Sequence, residues 1–578
     1  MPSCNAVAAT DAARVVADGS SSEQAVLGAP KEREVTAWAR AGSVAAGIGL
    51  ASAVMVALFA VHRTWVGDGL LDPGWINGLA TAVLGAALVF SWLERAPGPY
   101  RRRLPRPVAT AVATALAVLS LGVYVALGDV QFPYHRWDQF HYYIGAKYLP
   151  ELDYTRLYQC TAVAEAERFG RSAVATRTIR DLLTEDLVPA SSALADPDAC
   201  KRHFSPARWD AFSRDVAWFR RDSPTRDYWR RMQGDHGYNG APTWSLAGGA
   251  LASLAPASAR TQTALALIDV VLLAVAFGLI AWAFGTHAMW LALIVWGCQF
   301  PAKGAWTAGA FLRQDWFLGV IASVCLARRE RRVAAGVALA SAGALRLFPA
   351  VLLGVPLLVA VRRWLRTRAV APGDRRFALG VVIGAVLWLA VSTAVYGVTA
   401  WRDFTHHIIL HNAEPLANHV GLRMVLSQTV DGRLAVTQDN EAVDPFHMWK
   451  VRRQEAFAAR RPLYVVLVAG LVALAAVAAD RIPNLWSALA ASTVLVVSFL
   501  DIASYYCSFF VILTLLAVCD AGQERLALGA VLMSRLVNAA PFVADSPDMR
   551  YTAQSIVFLT WGGMALVRLA WGPSAIRR

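Results

Sequence analysis

Residues 107–143 read PVATAVATALAVLSLGVYVALGDVQFPYHRWDQFHYY. An apolar run long enough to cross a hydrocarbon core of roughly 30 Å passes into Trp137-Asp138-Gln139-Phe140-His141-Tyr142-Tyr143, the head of the longest polar segment in the chain. A carboxylate just beyond a membrane span and followed by aromatic side chains suits catalysis on a lipid-borne substrate at the bilayer surface. The same residues also fit a plain aromatic belt around a solvated Asp138. Downstream, Phe140, Ile144 and Tyr148 stand four apart. That spacing puts them on one helical face and predicts an amphipathic helix lying in the interface.

Composition sets the class. Of 578 residues, 56% are hydrophobic and 17% charged, with a mean hydropathy of +0.42. Repeated apolar runs of spanning length predict an all-α polytopic membrane protein. The formal charge of +14 resides largely in Arg clusters of short loops, where it sets orientation, so nucleic acid is not an expected partner. Residues 1–36 are polar and aperiodic and lack an apolar core with a cleavage site, which predicts a disordered cytoplasmic tail and not a signal peptide.

Charge bias orders the spans. Arg101-Arg102-Arg103 and Arg106 place the loop after the second span (about 74–94) in the cytoplasm, with a first span at about 37–60 and a third at 107–128. Segment 129–241 is then extracytoplasmic. Two further basic loops, Arg328–Arg332 and Arg362–Arg376, both belong inside, yet only about thirty apolar residues separate them. Segment 333–362 therefore reads as a broken hairpin turning near Arg346-Leu347-Phe348-Pro349, and irregular backbone at that depth implies a cavity. Segment 242–256 reads as re-entrant, 261–285, 287–308 and 312–327 as crossings, and 399–462 as a second outer loop. Five later segments leave Arg577-Arg578 inside, for about 12 crossings plus re-entrant pieces.

Candidate chemistry lies where polar groups meet these spans. Arg346 is the foremost intramembrane charge, its planar fork suited to a phosphate. Arg313-Gln314-Asp315 opens a span at the outer surface, with an ion pair as the alternative role. Asp269 and Arg535 are expected to pair across helices, and Asp501 with Tyr505 and Tyr506 stands at an outer helix end. The second loop carries His406-His407, His411 and Asn418-His419. His407 and His411 share a helical face and suit a phosphate, a sugar or a metal with Glu414, or simply a polar surface. No spacing supports a structural zinc site. Cys160 and Cys200 share the first outer loop and predict a disulfide in a loop with little apolar core, two free thiols being the alternative; Cys298, Cys325, Cys507 and Cys519 read as small core residues.

Four segments in order resemble the GT-C membrane glycosyltransferases, in particular the bacterial branch that uses polyprenyl-phosphate mannose, with the phosphatidylinositol mannosyltransferases. They are Asp138-Gln139-Phe140-His141-Tyr142-Tyr143 with Leu157-Tyr158, then Tyr238-Asn239-Gly240-Ala241-Pro242, then Arg313-Gln314, then Leu345-Arg346-Leu347-Phe348-Pro349. The resemblance covers roughly residues 107–520. Ala241, Arg313 and Arg346 replace the proline, glycine and lysine of the family pattern, which leaves the sugar open. It implies a GT-C-like module at 107–520, two added N-terminal helices within 37–106, and a C-terminal helical part at 521–578.

The implied activity is transfer of a monosaccharide, mannose or a related sugar, from a polyprenyl-phosphate donor to a glycolipid or envelope glycan. It would proceed with inversion at the outer face of a bacterial cytoplasmic membrane. Asp138 would be the catalytic base. Arg346, His141, Tyr142, Arg313, Gln314, His407, His411, Asn418, His419 and Tyr505 would bind substrate, with no metal or other cofactor assigned. Two other readings compete: an O-antigen ligase or polymerase centred on the Arg220-Arg221, Arg230-Arg231 and His236 stretch, and a flippase or transporter, which would be expected to show internal repeats.

Overall fold

The computed structural model describes residues 73–95, 104–126 and 133–572. The expected tail 1–36, the span 37–60, Arg101–Arg103, Asp129 and Arg577-Arg578 lie outside the described residues. Most of what is described is helical. Helices α1 (Pro73–Arg95) and α2 (Arg106–Ala126) precede the first long connection. That connection begins with α3 (Arg136–Gln139), which winds directly into a π-helical turn, Phe140–Ile144. It continues with α4 (Leu157–Phe169), a short antiparallel hairpin of β1 (Thr178–Arg180) and β2 (Leu187–Pro189), α5 (Pro206–Asp222) and α6 (Arg226–Met232).

Next come α7 (Pro242–Ser253), α8 (Ala259–Phe284) and α9 (Thr286–Cys298), then α10 (Asp315–Arg328), α11 (Arg332–Leu345) and α12 (Gly354–Thr367). The chain ends in α13 (Pro372–Ala413), α14 (His447–Ala479), α15 (Leu485–Ala491), α16 (Thr493–Phe499), α17 (Ala521–Asn538) and α18 (Pro547–Trp571). Local chemistry sets many of these limits. Proline occupies the first turn of α5, α7, α13 and α18, where its missing N–H costs nothing. Ser258 caps α8 by accepting the Thr261 N–H at 3.2 Å, and Gly285 ends it at φ 94°.

Among the described residues, seven helical stretches are long and apolar enough to cross a membrane, and four shorter apolar helices accompany them. This is the architecture of a multi-pass α-helical membrane protein, with fewer full-length spans than the expected twelve. Part of the difference comes from helix breaks, and the span expected at 37–60 lies outside the described residues. The stretch 287–308 stops being helical at Cys298, and 484–500 divides into α15 and α16. Within 399–462, α13 continues past a kink at Gly397 (φ 79°) to Ala413 and α14 starts at His447.

The broken hairpin is present. Helix α11 ends at Leu345, a 3-10 turn runs Phe348–Leu353, and α12 returns. Arg332 and Arg363 both reach Asp374, so the two basic loops share one end of the bundle, here called the basic end. Ser341 bonds Trp388, and a side chain on Gly336 or Gly380 would collide with the facing backbone, so α11 and α13 run parallel in close contact. Leu345 and the break after it therefore lie at the opposite end, the site end.

The large loop at the site end has its own hydrophobic core, contrary to the expectation of a poorly cored segment. Phe140, Tyr143, Ile144, Tyr148, Phe212, Val216 and Trp229 are all buried in it. Phe140, Ile144 and Tyr148 are thus covered together with their neighbours on every side, and the stretch is an internal element, not a helix lying in the interface. Cys160 and Cys200 are bonded, with Cα atoms 5.4 Å apart, and join α4 to the segment before α5. Cys298, Cys325 and Cys507 are free and buried.

Candidate functional site

The site grows from one loop. Between α9 and α10 the chain passes through Gly309 (φ 74°) and Leu312 (φ 47°), the latter a costly conformation for a residue with a Cβ. The surroundings over-determine it. His135 donates its N–H to the Gly309 carbonyl at 2.8 Å, and the Gln139 side-chain amide reaches the same oxygen at 3.2 Å. The Trp244 indole donates to the Leu312 carbonyl at 3.2 Å. Asp138 Oδ2 accepts the Phe311 N–H at 3.0 Å. From α8, Asp269 accepts the N–H groups of Arg313 and Gln314 at 2.9 and 3.0 Å. A buried carboxylate on orphan amides at the start of a helix satisfies both.

Arg313 is thereby delivered to Asp138. The two form an ion pair, and both are buried. Arg313 Nη1 also lies 3.4 Å from the Tyr142 hydroxyl, and its guanidinium sits 4.6 Å from the Tyr142 ring centre and 4.9 Å from that of Tyr505. Arg346 reaches the same place from the break after α11. Its guanidinium lies 5.5 Å from the ring centres of Tyr142 and Trp244. Its Nη1 donates to the Leu345 carbonyl at 3.0 Å. Arg346 Nε and Nη2 and Arg313 Nε are buried with no hydrogen-bond partner. Burial pushes the Tyr142 phenol well above its ordinary value, so it stays neutral between the two cations.

Asp138, Arg313, Tyr142, Arg346 and Tyr505 therefore converge. Gln314 adjoins them, its side-chain oxygen buried and unpartnered. His141 does not join them. It points into the loop core, with Nδ1 2.7 Å from the Trp137 carbonyl and Nε2 2.7 Å from the Tyr158 hydroxyl, and burial pulls its pKa down. Asp153 is a turn residue bonded to the Tyr154 N–H.

The loop histidines form a second group. The His236 ring lies 4.9 Å from His411, which stacks at 6.5 Å on His407. His236 Nδ1 meets Glu185 at 2.5 Å, and His407 Nε2 meets the Asn239 side-chain oxygen at 2.6 Å. His419 lies in β3 (His419–Val420), which pairs antiparallel with β4 (Ile502–Ala503); the Asn418 carbonyl accepts the Ser504 N–H at 2.9 Å. Burial, with His236 and Arg423 nearby, pushes His419 down to about 3. Glu414 turns away to Lys450 at 2.8 Å, and among the described residues no group of three His, Cys, Asp or Glu could hold a metal.

One expected pairing fails. Asp269 caps the Arg313 loop, and Arg535 donates to the Cys298 and Gln299 carbonyls at the end of α9, so each serves backbone and not the other. Asp501 lies 3.8 Å from Arg423 and is pushed by burial up to about 6. Sequence reading missed Asp269 and Trp244 as site builders; the only signal for Asp269 was a carboxylate within an apolar helix. Compared with protein-family models, curated proteins and solved structures, the chain finds no match.

Proposed function

We propose that this chain is an integral membrane glycosyltransferase of GT-C type, transferring a monosaccharide from a polyprenyl-phosphate donor to a glycolipid or envelope glycan. One observation carries the reading. Two buried guanidiniums, Arg313 and Arg346, flank the Tyr142 ring, Arg313 paired with Asp138 and Arg346 within electrostatic reach of Asp315, and three of their N–H-bearing nitrogens lack hydrogen-bond partners. Buried donors without acceptors are costly, and a phosphate supplies acceptors with compensating charge. The break in the membrane hairpin delivers Arg346 to the end of the bundle where a lipid phosphate would lie. On the charge bias of the basic loops that end faces outward from a bacterial cytoplasmic membrane.

In this reading Asp138 accepts the proton of the acceptor hydroxyl while its oxygen attacks the anomeric carbon. The bond from that carbon to the phosphate oxygen breaks, and the lipid phosphate leaves with the electron pair, inverting the centre. Arg346 and Arg313 stabilise charge as it builds on the departing phosphate. The competing ligase reading has less support, because Arg220 pairs Glu165, Arg231 pairs Asp227 and His236 pairs Glu185.

The test is to incubate the purified protein with polyprenyl-phosphate sugars and extracted envelope lipids and to measure released lipid phosphate and glycosylated acceptor. Asp138→Asn should lower turnover by about 10²–10⁴-fold, whereas Asp153→Asn retains it. Equal turnover by wild type and Asp138→Asn would remove Asp138 as the base.

A further inference from the structure

Neither oxygen of Asp138 is available to an acceptor. One receives the Phe311 N–H, the other is covered by Arg313, and the side chain is only 3% exposed. Arg313 is therefore shared between two duties that exclude each other: neutralising Asp138 and contacting a phosphate. The two arginines differ in this respect. Arg346 is tied by Nη1 to its own neighbour's carbonyl and, among the described residues, forms no ion pair; Asp315 acts on it only at longer range. Arg313 is held at the backbone by Asp269, while its guanidinium rests on the Tyr142 and Tyr505 rings. Aromatic faces hold a guanidinium with little directional demand, so it can shift from Asp138 to a neighbouring anion with the backbone in place.

We infer that Asp138 and the phosphate of the lipid donor compete for Arg313, so that the base is uncovered only when donor occupies the site. This rests on the glycosyltransferase reading and adds an order to it: donor first, then acceptor. Water is denied an active base until donor binds. Gln139, Phe311 and Asp269 act as positioning groups that keep the loop fixed while the side chain changes partner.

Competition has a signature in binding alone. The probe is a short-chain polyprenyl monophosphate titrated into the full-length protein in detergent and followed by intrinsic tryptophan fluorescence, with the uncharged polyprenol and inorganic phosphate as separate arms. Asp138→Asn keeps an acceptor for the Phe311 N–H but releases Arg313, so it should bind the lipid phosphate about tenfold tighter or more. Arg313→Gln should bind it about tenfold weaker. In the Arg313→Gln background, Asp138→Asn should change affinity by less than about threefold, since the shared partner is gone. Asp138→Ser repeats the test should the asparagine variant be poorly folded.

Unchanged affinity in Asp138→Asn, or an equal gain in both backgrounds, would overturn the competition and leave a permanent structural pair. Wild-type protein that binds the monophosphate no better than the polyprenol would overturn the donor reading itself, a result distinguishable from the first.

Discussion

Two buried arginines should respond oppositely to the same substitution. Arg453 donates to the Met424 carbonyl and the Ser427 hydroxyl at 2.8 Å, pairs with Asp548 at 3.1 Å and contacts Gln428, leaving only Nε without a partner. Arg453→Met would strand a buried Asp548, and breaking such a pair costs about 3–5 kcal/mol. Arg346→Met loses one charged hydrogen bond, about 1.5–3 kcal/mol, and two ring contacts of about 0.5–1 kcal/mol each. It also removes two orphan buried donors that cost about 1–3 kcal/mol apiece. At their midpoints the two sides cancel, and the extremes leave the balance within about 3.5 kcal/mol of zero. Function should reverse the ranking. Arg346→Met loses at least one charge-assisted contact to the donor phosphate, about tenfold to a hundredfold in binding, while the residual folded Arg453→Met protein binds donor normally. Thermal unfolding in detergent and donor titration measure both. An Arg346→Met protein that unfolds as readily as Arg453→Met, or binds donor like wild type, would refute the assignment of Arg346 to phosphate.

The Cys160–Cys200 bond closes a loop of about 40 residues, for which chain entropy gives about 4 kcal/mol; reduction should lower the melting point of the large loop, checked by alkylation, peptide mapping and limited proteolysis. His419 makes stability acid-sensitive: its pKa is about 3 folded and about 6.5 unfolded. Below about pH 6.5 the unfolded chain takes up a proton that the folded one refuses, so stability falls, by about 2 kcal/mol at pH 5. His419→Gln should flatten that slope in melts between pH 5 and 8. Cysteines introduced at Ala334 and Ala371, both at the basic end, should resist an impermeant thiol reagent together in intact cells; labelling of one alone would undo the paired-hairpin topology.

Much of the architecture is legible from side-chain polarity along the chain, because a membrane tolerates few alternatives. Long apolar runs must be helices, since unpaired backbone has no partner in lipid. The two basic loops around 333–362 demanded a hairpin, and the helix does break at Arg346. Arg346, Arg313, Tyr142 and Asp138 stood out for the same reason, as polar groups beside apolar spans.

Their partners were not legible. That Arg313 meets Asp138, that Asp269 serves backbone amides and not Arg535, and that Tyr158 takes up the His141 ring all depend on contacts between separate segments of the chain. Periodicity put Phe140, Ile144 and Tyr148 on one face, but it could not reveal that a cored loop covers the other faces too. Apolar patterning reports which side of an element must avoid water. Which charge neutralises which is set by where tertiary packing brings the chain, and at this site that choice decides whether Asp138 is covered or free.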